Sequence, residues 1–236
     1  MDLTTLLRHS EPFLQYVIDW EASLPTVDLS GLIDDPRRAA ILCVDVINGF
    51  CHSGPLASDQ VKSIIPPIVD LFERAHAAGV RHFLLPQDTH EAEAVEFSHY
   101  PPHGMRGTEE SDTVPELKAL PFYRDMVIFP KNSISSALNT GLENWLKEHP
   151  AVDTFVTVGD CTDLCTYQLA LFLRLRANAH QLPQRVILPV NCVATYDLPV
   201  ATAKSIGAVP HDSDLLHLIF LYSMMLNGVE VVRAIA

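Results

Sequence analysis

Positive charge is scarce in this chain: 16 Lys and Arg stand against 29 Asp and Glu, a formal net charge of -13 at pH 7. Attraction to phosphates needs clustered Lys and Arg, and no cluster is present, so a general binder of nucleic acid or of anionic membranes is excluded. No apolar run is long enough to span a bilayer, and Asp2, Arg8, His9 and Glu11 interrupt the N-terminus where a signal peptide would need an apolar core. The expectation is a cytoplasmic protein with no membrane partner. Cysteine is sparse and odd in number (Cys43, Cys51, Cys161, Cys165, Cys192), which fits reduced thiols rather than a disulfide framework. Cys161 and Cys165 have no second matching pair, so a zinc knuckle is not expected. G-x-x-x-x-G-K, G-x-G-x-x-G and G-x-S-x-G are all missing, leaving a nucleotide cofactor and a serine nucleophile elbow without support.

What is present is a chain of 236 residues with 48% hydrophobic content, enough for one sizeable α/β core. Residues 1–38 read as a helical appendage, with an apolar stripe at Leu3, Leu6, Leu7, Phe13, Leu14, Val17 and Ile18 that caps the core or an interface. Residues 39–236 carry a strand and helix alternation. Short apolar runs predict strands at Ala39–Asp45, Arg81–Pro86, Met126–Phe129, Asp153–Val158, Arg185–Val190 and Val229–Val232. Helices are expected over about 58–78, with Gly79 as a stop, and over 138–148, from Cys165, from about Val200 and over 212–226. The pattern predicts a six-stranded, mostly parallel sheet with helices on both faces. The apolar segment 215–226 reads equally as core or as part of a subunit interface.

Three strand ends deliver chemistry-bearing residues. Asp45 closes the first strand, Lys131 follows the third, and Cys165 opens the helix after the fourth; in a parallel sheet these ends share one edge. Thr162 and Asp163 read as N-caps, which places Cys165 in a first turn where the helix dipole favours a thiolate. Taken singly, each has a plainer reading: a turn aspartate, a surface lysine, a core cysteine. Asp88 and His90 on alternate residues, with His103 returned by the stiff Tyr100-Pro-Pro-His103 turn, make a carboxylate and two imidazoles suited to a divalent metal, although such residues also populate ordinary loops. His211 and His217 read as structural or surface residues.

The segments Val44-Asp-Val-Ile-Asn-Gly-Phe-Cys51, Asp88-Thr-His90, Tyr100 to Ser111, Lys131, Gly159-Asp-Cys-Thr-Asp-Leu-Cys165 and Ala194-Thr-Tyr-Asp-Leu-Pro199 resemble, in this order, the isochorismatase-like cysteine hydrolases, and within them the nicotinamidases, especially the plant type. The resemblance covers most of the chain after the appendage. It implies a doubly wound sheet of order 3-2-1-4-5-6, a catalytic triad of Asp45, Lys131 and Cys165, and a cis peptide before Cys161. It further implies an oxyanion hole from the backbone N–H groups of Cys161 and Cys165. Phe50 and Tyr100 match the aromatic positions of the substrate pocket, and Asp88, His90 and His103 match the metal ligands, with zinc first and iron or manganese as alternatives.

The implied reaction is hydrolysis of nicotinamide to nicotinate and ammonia through a cysteine thioester, in NAD salvage. The alternatives are hydrolysis of another small amide, ureido or carbamoyl compound, or a catalytically silent member that binds a small ligand. Members often assemble as homo-oligomers. Two departures from the nicotinamidase pattern stand out: Glu96 lies where many microbial members carry a histidine, and Gly104 replaces a frequent cysteine. Asp160 is also more polar than the usual residue there.

Overall fold

A computed structural model describes all residues, 1–236. Its centre is a sheet of six core strands: β1 (Ala39–Val44), β2 (His82–Asp88), β3 (Val127–Lys131), β4 (Thr154–Asp160), β5 (Arg185–Pro189) and β6 (Glu230–Val232). Their lateral order is β3-β2-β1-β4-β5-β6, and every pairing is parallel. This is the expected 3-2-1-4-5-6 order. A two-residue strand, Val193–Ala194, pairs additionally with the end of β4 and makes the sheet seven-stranded.

Burial on both sides explains why the strands read as continuous apolar runs. In β1, Ala39, Ile41 and Cys43 pack into one core, and Ala40, Leu42 and Val44 into the other. The first face is covered by α2 (Ile65–Ala77) through Ile65, Ile68, Leu71, Phe72 and Ala75. The second face carries α3 (Leu142–Glu148), α4 (Cys165–Ala179) and α5 (Ser213–Leu226), with Trp145, Leu169, Leu173, Leu221 and Met224 turned inward. Each fully buried Leu, Ile or Phe contributes roughly 1.5–3 kcal/mol, so these two layers hold the strand ends rigidly.

Several boundaries differ from expectation. The single helix expected over 58–78 is two, Asp59–Lys62 and α2, because Pro66 and Pro67 have no N–H to donate and are tolerated only in a fresh first turn. The helix expected from residue 138 begins at Leu142, after turns held by the Ser135 and Thr140 hydroxyls. Strand β3 runs through Lys131 rather than stopping before it, so Lys131 is paired in register with Asp88.

At the N-terminus, α1 (Leu3–Ala22) forms with Asp2 as its side-chain cap. It lies against α5, where Phe13, Tyr16 and Trp20 surround Tyr222 edge-on and Val17 is fully buried. The rest of its apolar stripe is largely exposed, at Leu3, Leu6, Leu7 and Ile18. Thr26–Val27 then pairs with Ala234–Ile235, tying residues before the sheet to the C-terminus. No helix is long and apolar enough to cross a membrane.

The sheet order places β1 and β4 side by side at the point where the winding reverses, and the crevice beyond the carboxyl ends of such strands is where α/β sheets bind ligands. Close approach there has a visible requirement. At Gly159, with φ of +116°, a Cβ would stand 2.0 Å from the carbonyl oxygen of Val44, so only glycine fits.

Candidate active site

Asp45 lies just past β1 with φ of 58°, a left-handed conformation that aspartate tolerates better than most residues. The turn fixes its carboxylate beneath the crevice. Its Oδ1 accepts the backbone N–H of Asp88 at 2.7 Å, and its Oδ2 stands 2.7 Å from the Lys131 Nζ. Lys131 also donates to Asp88 Oδ1 at 2.6 Å and to the Ser133 carbonyl at 3.2 Å, and it approaches Cys165 Sγ at 3.5 Å. One carboxylate oxygen each from Asp45 and Asp88 and the Cys165 sulfur all lie within 4.8 Å of one another. The three strand-end residues singled out from the sequence are therefore brought together, and all three are buried.

Cys165 is the first residue of α4, but the cap is not the expected one. Leu164 occupies the N-cap without a side-chain bond. The Asp163 carboxylate turns away to accept from Thr195 Oγ1 at 2.6 Å and to meet His211 Nε2 at 2.8 Å. Thr162 is held by its N–H on the Ala194 carbonyl, and its hydroxyl meets His217 Nδ1 at 2.8 Å. The N–H groups of Thr162, Leu164 and Thr166 are bonded to backbone carbonyls, whereas those of Cys161 and Cys165 have no backbone partner. The Asp160–Cys161 peptide is cis, as the resemblance implies.

The protonation states differ from the simple helix-dipole expectation. Burial, reinforced by Asp45 and Asp88, pushes the Cys165 thiol well up, while Lys131 pulls the other way. Burial also raises the Asp45 carboxyl, to about 6, with the Asp88 charge adding and Lys131 opposing. Lys131 is favoured as a cation: burial works against it, but Asp45 and Asp88 prevail. Asp88 is held below the usual carboxylate range, because Lys131, His103 and His90 outweigh the burial penalty. The resting arrangement is thus a neutral thiol beside an acceptor carboxylate and a fixed ammonium.

Asp88, His90 and His103 form a second buried group whose ligand atoms converge within 4.8 Å. His90 Nδ1 meets Asn132 Oδ1 at 3.2 Å and His103 Nδ1 meets the Pro101 carbonyl at 2.8 Å. Each Nδ1 therefore carries the proton, and each Nε2 turns toward Asp88, at 3.3 and 3.8 Å. His90 Nε2 is buried without a hydrogen-bond partner. Two imidazoles oriented through Nδ1, a converging carboxylate and an orphaned Nε2 could hold a divalent metal.

Asp45 and Cys165 of the first group and Asp88 and His103 of the second border an inner cavity of about 40 Å³ that also touches Phe50, Tyr100, Cys161, Ile134, Leu164 and Tyr196. It adjoins a vestibule of about 1460 Å³, with Leu56, Glu96, Tyr100, Ile134, Leu164 and Tyr196 bordering both. Phe50 and Tyr100 lie 5.6 and 6.1 Å, centroid to centroid, from the His103 ring. Sequence reasoning missed Asn132, whose only signal was its place after Lys131, and Tyr196, whose signal was the Ala194–Pro199 segment. Of the two readings given for His211, structural or surface, the structural one holds: it is buried, stacks on Tyr196 at 4.0 Å and donates to the Tyr196 carbonyl through Nδ1.

Residues 39–208 match the Isochorismatase domain family model. The chain is 33% identical over 225 residues to Nicotinamidase 1 of Arabidopsis thaliana, covering 87% of this chain and 89% of that one. Among solved structures, an isochorismatase-like hydrolase from Alkaliphilus metalliredigens superposes with a TM-score of 0.64 at 26% identity, covering 82% of this chain and 93% of the other. The pyrazinamidase of Pyrococcus horikoshii, solved in complex with zinc, shares the fold with a TM-score of 0.64 at 20% identity, covering 83% and 99%. A family match over most of the sheet, joined to a plant nicotinamidase relative along nearly the whole length, makes this chain a member of the isochorismatase family of hydrolases, similar within it to the nicotinamidases.

Proposed function

We propose that the protein is a nicotinamidase that hydrolyses nicotinamide to nicotinate and ammonia, with Cys165 as nucleophile. One geometric fact carries this reading: Cys165 Sγ lies 3.5 Å from the Lys131 ammonium and within 4.8 Å of an Asp45 oxygen, at the wall of a cavity lined by aromatic rings. The 33% identical plant nicotinamidase supports the choice of substrate.

The chemistry follows from the protonation states. Because burial keeps Cys165 a thiol, its proton passes to the Asp45 carboxylate as sulfur attacks the amide carbon. A carboxyl raised to about 6 is a suitable acceptor near neutral pH, since it is largely ionised yet basic enough to take the proton. Lys131 steadies the developing thiolate. The tetrahedral oxyanion is received by the N–H groups of Cys161 and Cys165, which have no backbone partner of their own. Collapse breaks the C–N bond, and Asp45 returns its proton to the departing ammonia, leaving a thioester. Asp45 then deprotonates a water that attacks the thioester carbon, and the acid leaves as Cys165 regains its proton.

Asp88, His90 and His103 would hold a divalent ion, zinc before iron or manganese. Such an ion offers a Lewis-acid anchor for a pyridine nitrogen. Phe50 and Tyr100 flank the ring and exclude water. Ammonia release from nicotinamide, measured beside a panel of small amides and ureido compounds with Cys165→Ala as control, tests the assignment. Turnover of nicotinamide that vanishes in the variant is expected. Turnover of only non-pyridine amides would transfer the site to a different small amide, and no turnover of any would remove the enzymatic reading.

A further inference from the structure

One polar side chain on the wall of the inner cavity has neither a full set of partners nor a part in the chemistry above. Asp160 borders that cavity and is 1% exposed, and its Oδ1 is buried without a hydrogen bond. Its Oδ2 has the Cys161 thiol at 3.8 Å. Other buried atoms lack partners too, but Asp45 Oδ2 faces Lys131, His90 Nε2 faces Asp88, and Arg74, Ser136 and Thr166 do not border this cavity. Burial, with Asp45 adding to it and Lys131 opposing, raises the Asp160 carboxyl well above the ordinary range. It stands as a neutral acid, able to donate and to accept.

A buried polar group without a partner weakens a fold, and an apolar residue in its place would not. Val156 and Val158 precede Asp160 on the same face of β4 and pack in the first core with Phe50 and Val61, which also line the cavity. Cys165 packs in the other core. Asp160 therefore stands on the Phe50 side of the cavity, where the body of an amide lies once its carbonyl reaches the sulfur. With a volume of about 40 Å³, the cavity leaves that body little room to avoid the carboxyl. An ion on Asp88, His90 and His103 would engage one acceptor of the ligand, and Asp160 offers a second anchor that no ion occupies.

We propose that Asp160 is a further substrate-binding residue that hydrogen-bonds a hydroxyl on the body of the amide, so that the site holds hydroxyl-bearing carboxamides more tightly than their unsubstituted counterparts. A hydroxyl satisfies Oδ1 in either sense, accepting its proton or donating to it, and so relieves an unmet buried group. The inference deepens the proposed function, on which it rests for the placement of the amide carbonyl at Cys165. Nicotinamide itself, with a single ring nitrogen for the ion, leaves Asp160 unmet.

Matched pairs of amides test the contact by NMR titration of zinc-loaded Cys165→Ala, which binds amides without turning them over. Nicotinamide is compared with its ring-hydroxylated isomers, and isobutyramide with lactamide, in which a hydroxyl replaces a methyl. At least one hydroxylated partner should bind about tenfold more tightly than its parent. That gain should fall to about twofold or less when Asp160→Val is added, and Asp160→Asn, which keeps a polar tip, should retain part of it. Equal affinities within every pair overturn the contact, as does a gain that survives Asp160→Val or a cavity that binds none of these amides. A lactamide gain that depends on Asp160, in a protein that binds no pyridine carboxamide, would keep the contact and reject nicotinamide. Turnover of nicotinamide by the wild type, with no gain for any hydroxylated partner, would keep the nicotinamidase and reject the contact.

Discussion

Lys131 and Asp88 face each other across β3 and β2 in direct register, with Nζ 2.6 Å from Oδ1. Asp88 thereby belongs to two groups at once, the cluster with His90 and His103 and the cluster with Asp45 and Cys165. Lys131 is the one cation shared among these carboxylates. Lys131→Met should leave Asp45 and Asp88 as uncompensated buried acids and cost about 3–5 kcal/mol in a metal-free denaturation experiment. Asp88 would also lose the ammonium that competes with a metal for its oxygen. Zinc should therefore raise the melting temperature of the variant by more than it raises that of the wild type, while amide turnover is abolished. Equal zinc shifts in the two proteins would show that Lys131 and the metal site are independent.

Asn132 positions His90, one of the three residues that could hold a metal. Its Oδ1 receives the His90 Nδ1 proton at 3.2 Å and the Glu91 N–H at 3.1 Å, fixing which nitrogen is left for a metal. Partners of this kind typically govern metal affinity by about 10–100-fold. Asn132→Ala should weaken zinc binding within that range in a competition titration, with the secondary structure intact. Unchanged affinity would mean that the imidazole is oriented by packing alone, for example by Phe97 at 5.4 Å.

The strands and their sequence are legible because each is a short apolar run buried on both faces, and the site residues are legible because they close those runs: Asp45 after β1, Asp88 within β2, Lys131 within β3. The lateral order came with the family resemblance, since apolar runs alone do not say which neighbours pair. Local capping rules failed at Thr162 and Asp163 because tertiary partners outbid the helix end for their side chains. Those partners lie far along the chain: His211 is 48 residues from Asp163, and no local pattern announces it. The state of the Cys165 thiol was misjudged for a related reason, as its burial and the two nearby carboxylates, Asp45 and Asp88, are invisible from a first-turn position.

Gly159 tests how closely β1 and β4 must approach. Its Cβ position lies 2.0 Å from the Val44 carbonyl oxygen and 2.8 Å from the Val44 nitrogen, both backbone atoms that cannot swing aside. Gly159→Ala should separate the strands next to Asp45 and cost more than about 3 kcal/mol, the scale of severe core and backbone lesions. Urea denaturation measures it. A loss below 1 kcal/mol would mean that the strand ends can part without harm.

The Asp163–His211 pair makes a prediction in pH. Burial works to lower the His211 value, but Asp163 prevails and raises it above the ordinary 6.5. Asp163 is lowered below 3.8: burial opposes this, while His211 and Thr195 bring it about. For the histidine, the stabilisation is fully present below 6.5 and is lost as pH rises through its higher folded value. For the aspartate it is present above 3.8 and lost as pH falls through its lower one. The stability difference between wild type and His211→Ala should therefore be greatest between about pH 4 and 6.5, at about 1–3 kcal/mol, and shrink by pH 9. Because His211 also stacks on Tyr196 and binds its carbonyl, the variant should loosen one wall of the cavity and raise KM more than it lowers kcat. A difference that stays flat from pH 5 to 9 would reduce the pair to a neutral hydrogen bond, and a loss confined to kcat would place its effect on the nucleophile loop rather than on the wall.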